Sequence, residues 1–337
     1  MAKQKVTLND VAKKAGVSIA AVSRTFTPGA SVSRPTKEKV ERAAHALGYR
    51  PNRIARTMIT GKSRIIGLLV AYLDNQFYPT ALELLSRQLQ AQGYHVLIFM
   101  AENDAESTPS VLQDLIDYKV DGIIMASVAI SNELSARCTE EGIPVVLFNR
   151  EQDDPDLYSV TSDNYVGGSD VANFLVAGGH RKIAHISGWK ETSTGRDRAK
   201  GLVDGLAEHG LEPTVVVDGM FDPEVAKQQT RRIFGSGDRP DSVFVGNDHM
   251  AFAVLDVLRF ELGLSIPDDV SVVGYDDVPL AGWPTYDLTT IRQPVNRMVE
   301  KTIAILLDRI GGNTPEPRTL IPGELILRGS ARRPKVF

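Results

Sequence analysis

From residue 64 onward the chain alternates two kinds of apolar pattern. Short β-branched runs read as strands: I-I-G-L-L-V-A-Y at 65–72, Y-H-V-L-I-F-M-A at 94–101, V-D-G-I-I-M-A-S at 120–127 and I-P-V-V-L-F-N at 143–149. Between them, stretches near 77–92, 107–118 and 131–141 read as helices. Strands that are apolar along their whole length predict a parallel sheet covered on both faces. The scheme then restarts with K-I-A-H-I-S-G at 182–188, T-V-V-V-D-G at 214–219, D-S-V-F-V-G-N-D at 241–248 and D-V-S-V-V-G-Y-D-D at 269–277. Helices near 165–178, 197–209, 223–235 and 248–262 separate these runs. The prediction is an α/β body of two doubly wound, parallel-sheet lobes. Ligands of such sheets bind at the carboxyl ends of the strands. Polar residues gather there: Ser127, Asn149 and Arg150, Asn247 and Asp248, Asp276 and Asp277.

The first 50 residues follow a different rhythm. Thr7 followed by Asp10 resembles a capping box, and Leu8, Val11, Ala12 and Ala15 form an apolar stripe that ends at Gly16. Ser18 can cap a second helix that turns Val22 and Phe26 inward and ends at Pro28-Gly29. A third helix starts near Ser33, with Pro35 in its first turn, and runs through Val40, Ala43, Ala44 and Leu47 to Gly48. Two short helices joined by a tight glycine turn, with a third behind, form an all-helical helix-turn-helix head. The second helix of such a pair lies in the DNA major groove.

Charge sharpens this division. The whole chain, at 337 residues, has a formal net charge of −4. Residues 1–62 hold thirteen Lys and Arg against Asp10, Glu38 and Glu41, a formal +10, whereas the other 275 residues carry 25 bases and 39 acids, a formal −14. A basic head on an acidic body points to a polyanion partner for the head alone. The longest uncharged apolar run, Ile65 to Leu73, is nine residues, so no membrane span is expected. No secretory signal is visible, and a single cysteine, Cys138, fits a reducing cytoplasm.

T-L-N-D-V-A-K-K-A-G-V-S-I-A-A-V-S-R, followed by A-L-G-Y-R-P-N-R-I-A-R-T-M, closely resembles the head of LacI-type bacterial transcription regulators. The likeness continues through V-G-N-D-H-M-A, S-V-V-G-Y-D-D-V and L-T-T-I-R-Q-P, which are similar to motifs of that family's effector domain, itself periplasmic-binding-protein-like. The resemblance implies a helix-turn-helix domain at 1–49, a hinge helix and linker at 50–62, and an effector-binding and dimerisation domain at 63–337. Lobe 1 would hold about 63–162 and 292–322, and lobe 2 about 163–291 and 323–337. The chain would cross between lobes near 162, 291 and 323, with a helix at 295–311 returning to lobe 1.

Ile19, Ala20 and Arg24 are the outward positions of the second helix and match the family's base-reading positions. Arg24 can donate a bidentate pair to guanine, worth ~1–3 kcal/mol of discrimination. It is also suited to a phosphate clamp, as Ile19 is to the core. Thr7, Ser18 and Ser23 suit phosphate contacts, which set register. Asn52 can cap a single short helix, Arg53 to Ile59, too short to be stable alone and therefore ordered only when docked. Arg53 and Arg56 beside the apolar Met58 are the chemistry of minor-groove insertion. By resemblance Met58 sits where the family has an intercalating Leu.

Position by position, the resemblance places effector contacts at Phe77, Tyr78, Ser127, Asn149, Thr194, Arg198, Phe221, Asn247 and Asp276, with Arg150, Lys190 and Trp283 as further candidates. Such a set suits a polyol: amide and carboxylate groups pair with hydroxyls, and aromatics cover a ring face. Arg198 and Asp276 are also able simply to pair with each other. Arg150, Arg198 and Lys190 tilt the expectation slightly toward a sugar acid or sugar phosphate over a neutral sugar. A purine effector is disfavoured, because Thr192 stands where that branch of the family has a basic residue.

The expected function is a ligand-responsive, sequence-specific transcriptional repressor in the cytoplasm, binding a palindromic double-stranded operator as a homodimer. No catalytic motif stands out, the six histidines are scattered, and no metal or cofactor is expected. A transport-type solute-binding protein would share the cleft but not the basic head, and a sugar-modifying enzyme would need a catalytic set not seen. Met58→Gly is expected to abolish high-affinity operator binding while leaving effector affinity intact. Fluorescence anisotropy showing unchanged operator affinity would refute the wedge role.

Overall fold

The computed structural model describes residues 6–27, 30–50, 62–71, 73–100, 107–128, 130–152, 154, 157–235 and 237–334. The chain divides into two compact units, Met1–Ser63 and Arg64–Phe337.

The first unit holds α1 (Leu8–Ala15), α2 (Ile19–Thr25) and α3 (Arg34–Leu47). Each start is capped locally. The Thr7 hydroxyl accepts from the Asp10 backbone while the Asp10 carboxylate accepts the Thr7 N–H at 2.9 Å, a reciprocal capping box. Those bonds hold the Asp10 carboxyl below its ordinary range. Ser18 and Ser33 cap α2 and α3 through their hydroxyls. Gly16 at φ 67° and Gly48 at φ 65° close α1 and α3 in the left-handed conformation. Val11, Val22 and Val40 are fully buried among Ala12, Ala43 and Ala44, with Phe26 and Tyr49 packed around them. Pro28 and Gly29, expected to end α2, lie outside the described residues, and the helix itself stops at Thr25.

The second unit is built on two six-stranded sheets. The first contains β1 (Ile65–Val70), β2 (His95–Met100), β3 (Gly122–Ala126), β4 (Val145–Phe148), β5 (Tyr158–Ser162) and β11 (Arg318–Ile321), in the order β11-β5-β4-β3-β1-β2. Every neighbouring pair in it is parallel. The second contains β6 (Ile183–Ser187), β7 (Val215–Asp218), β8 (Ser242–Val245), β9 (Ser271–Asp276), β10 (Thr289–Arg292) and β12 (Glu324–Ile326), in the order β12-β10-β9-β8-β6-β7. Only the β10–β12 pairing there is antiparallel. The helices of the first lobe are α4 (Phe77–Ala91), α5 (Ser107–Asp117), α6 (Asn132–Glu140) and α11 (Val295–Ile310). Those of the second are α7 (Asn164–Ala177), α8 (Ser193–Ala207), α9 (Pro223–Phe234) and α10 (Asp248–Asp256), which runs into a π-helical turn, Val257–Glu261. The chain passes between lobes after Ser162, after Arg292 and after Ile321, and α11 packs on α4 and on β3, β4 and β5.

Strands β5, β10, β11 and β12 do not stand out in the apolar pattern. β5 reads Y-S-V-T-S, yet Ser159, Thr161 and Ser162 are buried in the sheet. β11 and β12 span only four and three residues. Helix α8 begins four residues before the expected start, because Thr192 caps it through a bond from the Gly195 N–H at 3.1 Å. Among the described residues no helix is long and apolar enough to cross a membrane.

Helices α7 and α8 touch backbone to backbone. A Cβ on Gly201 would lie 2.0 Å from the Tyr165 carbonyl oxygen, and one on Gly168 2.3 Å from that of Arg198. This approach fixes where α8, and Arg198 on it, meets the lobe. Gly201→Ala is expected to cost about 1–3 kcal/mol by overpacking against rigid backbone, read as a lower urea midpoint. Ala at exposed Glu208, the C-cap of α8, serves as the near-neutral control.

Candidate functional site

On the head, Ile19, Ala20 and Arg24 are all exposed on α2, with Ile19 at 52%. Ile19 is therefore not a core residue. The Arg24 Nε donates to the Ala20 carbonyl at 3.4 Å, which steers the guanidinium along the helix face. The hydroxyls of Thr7 and Ser18 serve as caps, and Ser23 is half-buried. Asn52, Arg53, Arg56 and Met58 lie outside the described residues.

In the second unit a cavity of about 440 Å³ opens between the lobes at the carboxyl ends of the strands. That is the size of a small-molecule site. Asp74, Asn75, Tyr78, Ser127 and Asn149 line it from the first lobe. Thr194, Arg198, Met220, Phe221, Asn247, His249 and Asp276 line it from the second. Several of these sit at or just beyond a strand end and hold a backbone conformation that side chains rarely adopt: Ser127 at φ 63°, Asn149 at 58°, Met220 at 56°, Phe221 at 55° and Asp276 at 127°. Strained, non-glycine turns of this kind persist where the surrounding structure over-determines them, and they cluster at functional sites. Here all five residues line the cleft.

Asp276 dominates the electrostatics. It is 5% exposed, and burial pushes its carboxyl up, opposed by the nearby charge of Arg198 and by bonds from Gln293 and Asn75. Gln293 Nε2 donates to Oδ1 at 2.7 Å, and Asn75 Nδ2, from the other lobe, donates to Oδ2 at 3.3 Å. Arg198 is equally buried. Its Nε donates to Asn164 at 2.8 Å, one terminal nitrogen donates to the Gly246 carbonyl at 2.6 Å, and the guanidinium lies over the Tyr275 ring at 3.6 Å. The other terminal nitrogen stands 3.8 Å from Asp276 Oδ1. That is an ion pair, but too long for a direct hydrogen bond.

Around this pair, Asn247 spends its carbonyl oxygen capping α10 at 2.9 Å, which leaves its amide as a donor group. Asn149 donates to the Tyr78 hydroxyl at 3.2 Å, and its own oxygen is buried with no partner among the described residues. The tip of the Phe221 ring packs against Gly188, where a Cβ would sit 2.0 Å from its Cζ. Thr194 is buried beside Thr192, 3.3 Å between hydroxyls.

Four expected contacts do not reach the cavity. Phe77 belongs to the core: it stacks on Phe148 at 6.1 Å and meets Tyr78 edge-on at 5.3 Å, and of these two only Tyr78 lines the cavity. Arg150 is buried behind Ser127, donating to its hydroxyl at 3.1 Å. Trp283 is exposed, and neither it nor Lys190 lines the cleft. Conversely, Asp74, Asn75, Met220 and His249 line the cleft without having been singled out by the sequence pattern. Asp74 and Asn75 follow β1 and obey the same strand-end rule that picked out Ser127, and His249 immediately follows Asn247-Asp248.

A basic helix-turn-helix unit joined to a two-lobed, ligand-sized cleft defines a ligand-binding DNA regulator. Comparison with known proteins agrees. The profile for "Bacterial regulatory proteins, lacI family" matches residues 7–52, and that for a "Periplasmic binding protein-like domain" matches 172–331. The HTH-type transcriptional repressor PurR of Photobacterium profundum is 30% identical over 330 residues, 97% of this chain and 98% of that one. The lac repressor dimer bound to operator and the anti-inducer ONPF superposes with a TM-score of 0.88 at 28% identity, covering 97% of this chain and 99% of that chain. The transcriptional regulator CelR in complex with cellobiose gives 0.74 at 30% identity, over 97% and 100%. The chain belongs to the LacI family of bacterial regulatory proteins, and it is a DNA-binding transcriptional regulator with a ligand-binding domain.

Beneath the cleft, Asp248 is fully buried, accepting from the Thr290 hydroxyl at 2.6 Å and the Val278 N–H at 3.0 Å. Burial, with the Asp276 charge adding, pushes its carboxyl up to about 7. A buried acid whose folded value exceeds its unfolded one favours folding when protonated. That contribution is present below about pH 4 and lost as pH rises through about 7. Stability is therefore expected to fall between those values, and Asp248→Asn to flatten the decline in urea titrations across this range.

Proposed function

We propose that the chain is a homodimeric repressor of a palindromic operator whose effector is a neutral polyhydroxylated molecule, a sugar. The observation that carries the effector class is the 3.8 Å gap between Arg198 and Asp276. A hydroxyl in that gap donates to the carboxylate and accepts from the guanidinium, so both buried charges gain a bond. Asn149 Oδ1 and the Asn247 amide offer one further acceptor and donor, and Phe221 an apolar face.

The anionic alternatives lose their support. Arg150 and Lys190 stay out of the cavity, the charge of Arg198 is offset by Asp276 beside it, and the lining adds the acids Asp74 and Asp222. A purine finds no basic residue at Thr192, which caps α8, and Phe77 is withdrawn into the core. The cellobiose held by CelR is consistent with a sugar in this family's cleft.

Dimerisation is supported by the first sheet's edge. Strand β2 exposes Ile98 at 53% and Met100 at 48%, an apolar, unpaired border of the kind that invites a partner, and the lac repressor that superposes on this chain is a dimer. In this reading the cleft binds and does not catalyse, and the protein works on the cytoplasmic nucleoid.

A thermal-shift screen of neutral sugars, sugar acids, sugar phosphates and nucleobases tests the effector class. A neutral sugar at about a hundred times its Kd is expected to stabilise by ~2.7 kcal/mol, raising Tm by several degrees, and Asp276→Asn to abolish the shift. Shifts confined to phosphorylated, acidic or nucleobase ligands would refute it.

A further inference from the structure

Three consecutive residues between β1 and α4 reach across the cleft. Asn75 donates to Asp276, the Gln76 side-chain oxygen accepts the Leu280 N–H at 3.4 Å, and Asp74 stands 3.7 Å from His249 Nε2. The first two contacts are hydrogen bonds donated by amide N–H groups, the first to the Asp276 carboxylate and the second to the neutral Gln76 side chain. The third is an ion pair only when the imidazole is protonated. His249 is the second residue of α10 and lines the cavity wall, partly exposed, with Asp74 more exposed at the mouth.

We propose that His249 and Asp74 form a proton-operated latch, so that acidification favours the closed cleft. The inference rests on the reading of this cleft as the effector site and adds a regulation to it. Closing the lobes brings the imidazolium against Asp74, while opening separates them, so the closed state gains with each proton bound at His249. Histidine is the side chain that ordinarily changes charge near neutral pH.

The other charges facing His249 act in known directions. Asp276, on the same wall, attracts the imidazolium, and the charge of His249 is among the groups that hold the Asp276 carboxyl down. Asp222, at the start of α9, lines the same cavity and adds to the negative field. Asp248 precedes His249 on α10 but is buried with its oxygens turned to Thr290 and Val278. Arg198 and the amino end of α10 oppose the protonated form. Of these groups, Asp74 alone belongs to the first lobe, so it is the one whose distance to His249 changes when the lobes move.

The size of the effect follows from exposure. A partly solvated pair of this kind shifts a closed-to-open ratio by about two- to five-fold. A ligand that binds the closed cleft then binds more tightly in acid by the same factor, and added salt weakens the response.

The test needs no effector, so it separates this proposal from the identity of the ligand. Spin labels are placed on cysteines introduced at Gln90→Cys on α4 and Glu224→Cys on α9, both exposed and in different lobes. Cys138 is buried with its thiol pushed up to about 11, so it stays unlabelled. Labelled full-length chain is diluted with unlabelled chain so that each dimer carries one labelled copy. Double electron–electron resonance then reads the interlobe distance at pH ~5.5 and ~8.5, on either side of histidine's usual titration. The short-distance population is expected to be about two- to five-fold more weighted at the lower pH. His249→Gln and Asp74→Asn are each expected to remove the pH response while the protein stays folded. Identical distributions at the two pH values in the unsubstituted chain would overturn the proposal, as would a response that survives in either variant.

Discussion

Asp276 is a carboxylate removed from water at the point where the two lobes meet, and the cleft is organised around keeping it there. A charge this buried needs donors, and burial alone drives its carboxyl toward the neutral form. Gln293 comes from the crossover after β10, Arg198 from α8 and Asn75 from the opposite lobe. Each of these partners is itself fixed by a structural demand: Arg198 by the glycine contact of α7 with α8 and by its bonds to Asn164 and Gly246, Asn75 by the turn into α4. Because one donor belongs to the other lobe, the state of the carboxylate and the angle between lobes are linked. That is the physical requirement for a ligand at this position to shift a conformational equilibrium.

The same arrangement explains the strained turns. Side chains of a strand alternate between the two faces of the sheet, whereas a ligand between the lobes needs side chains aimed past the strand end. Ser127, Asn149 and Phe221 take left-handed conformations just beyond such ends, and the packing beneath holds them: Arg150 under Ser127, Tyr78 against Asn149, and bare Gly188 at the tip of the Phe221 ring. The residues expected as ligand contacts and found elsewhere, Phe77 and Arg150, thus support the wall rather than form its surface.

The opposed charges of the two units complete the picture. A head of formal +10 is drawn to a polyanion, while a body of formal −14 is repelled by it. The opposed signs thus favour approach to DNA through the head and disfavour it through the body. Strand β1, the first strand after the head, leads through the turn that follows it to Asp74, Asn75 and Gln76, which contact the opposite lobe.

Most of the architecture was written locally. The caps at Thr7, Ser18 and Ser33, the glycine ends at Gly16 and Gly48, and the uniformly apolar strands are short-range patterns whose physics acts within a few residues, so the elements and the α/β, two-lobed plan were legible in the amino-acid order. The rule that polar residues collect at strand ends found Ser127, Asn149, Asn247 and Asp276 for the same reason. What the tertiary structure decided were matters of direction and of meeting. Whether Phe77 or Tyr78 faces the cleft depends on how α4 lies against β4, and whether Arg150 reaches a ligand depends on the depth at which Ser127 stands in front of it. That Asp74 meets His249, or Asn75 meets Asp276, depends on the chain crossing between lobes. Such pairings join residues far apart in the sequence through packing that no local pattern encodes.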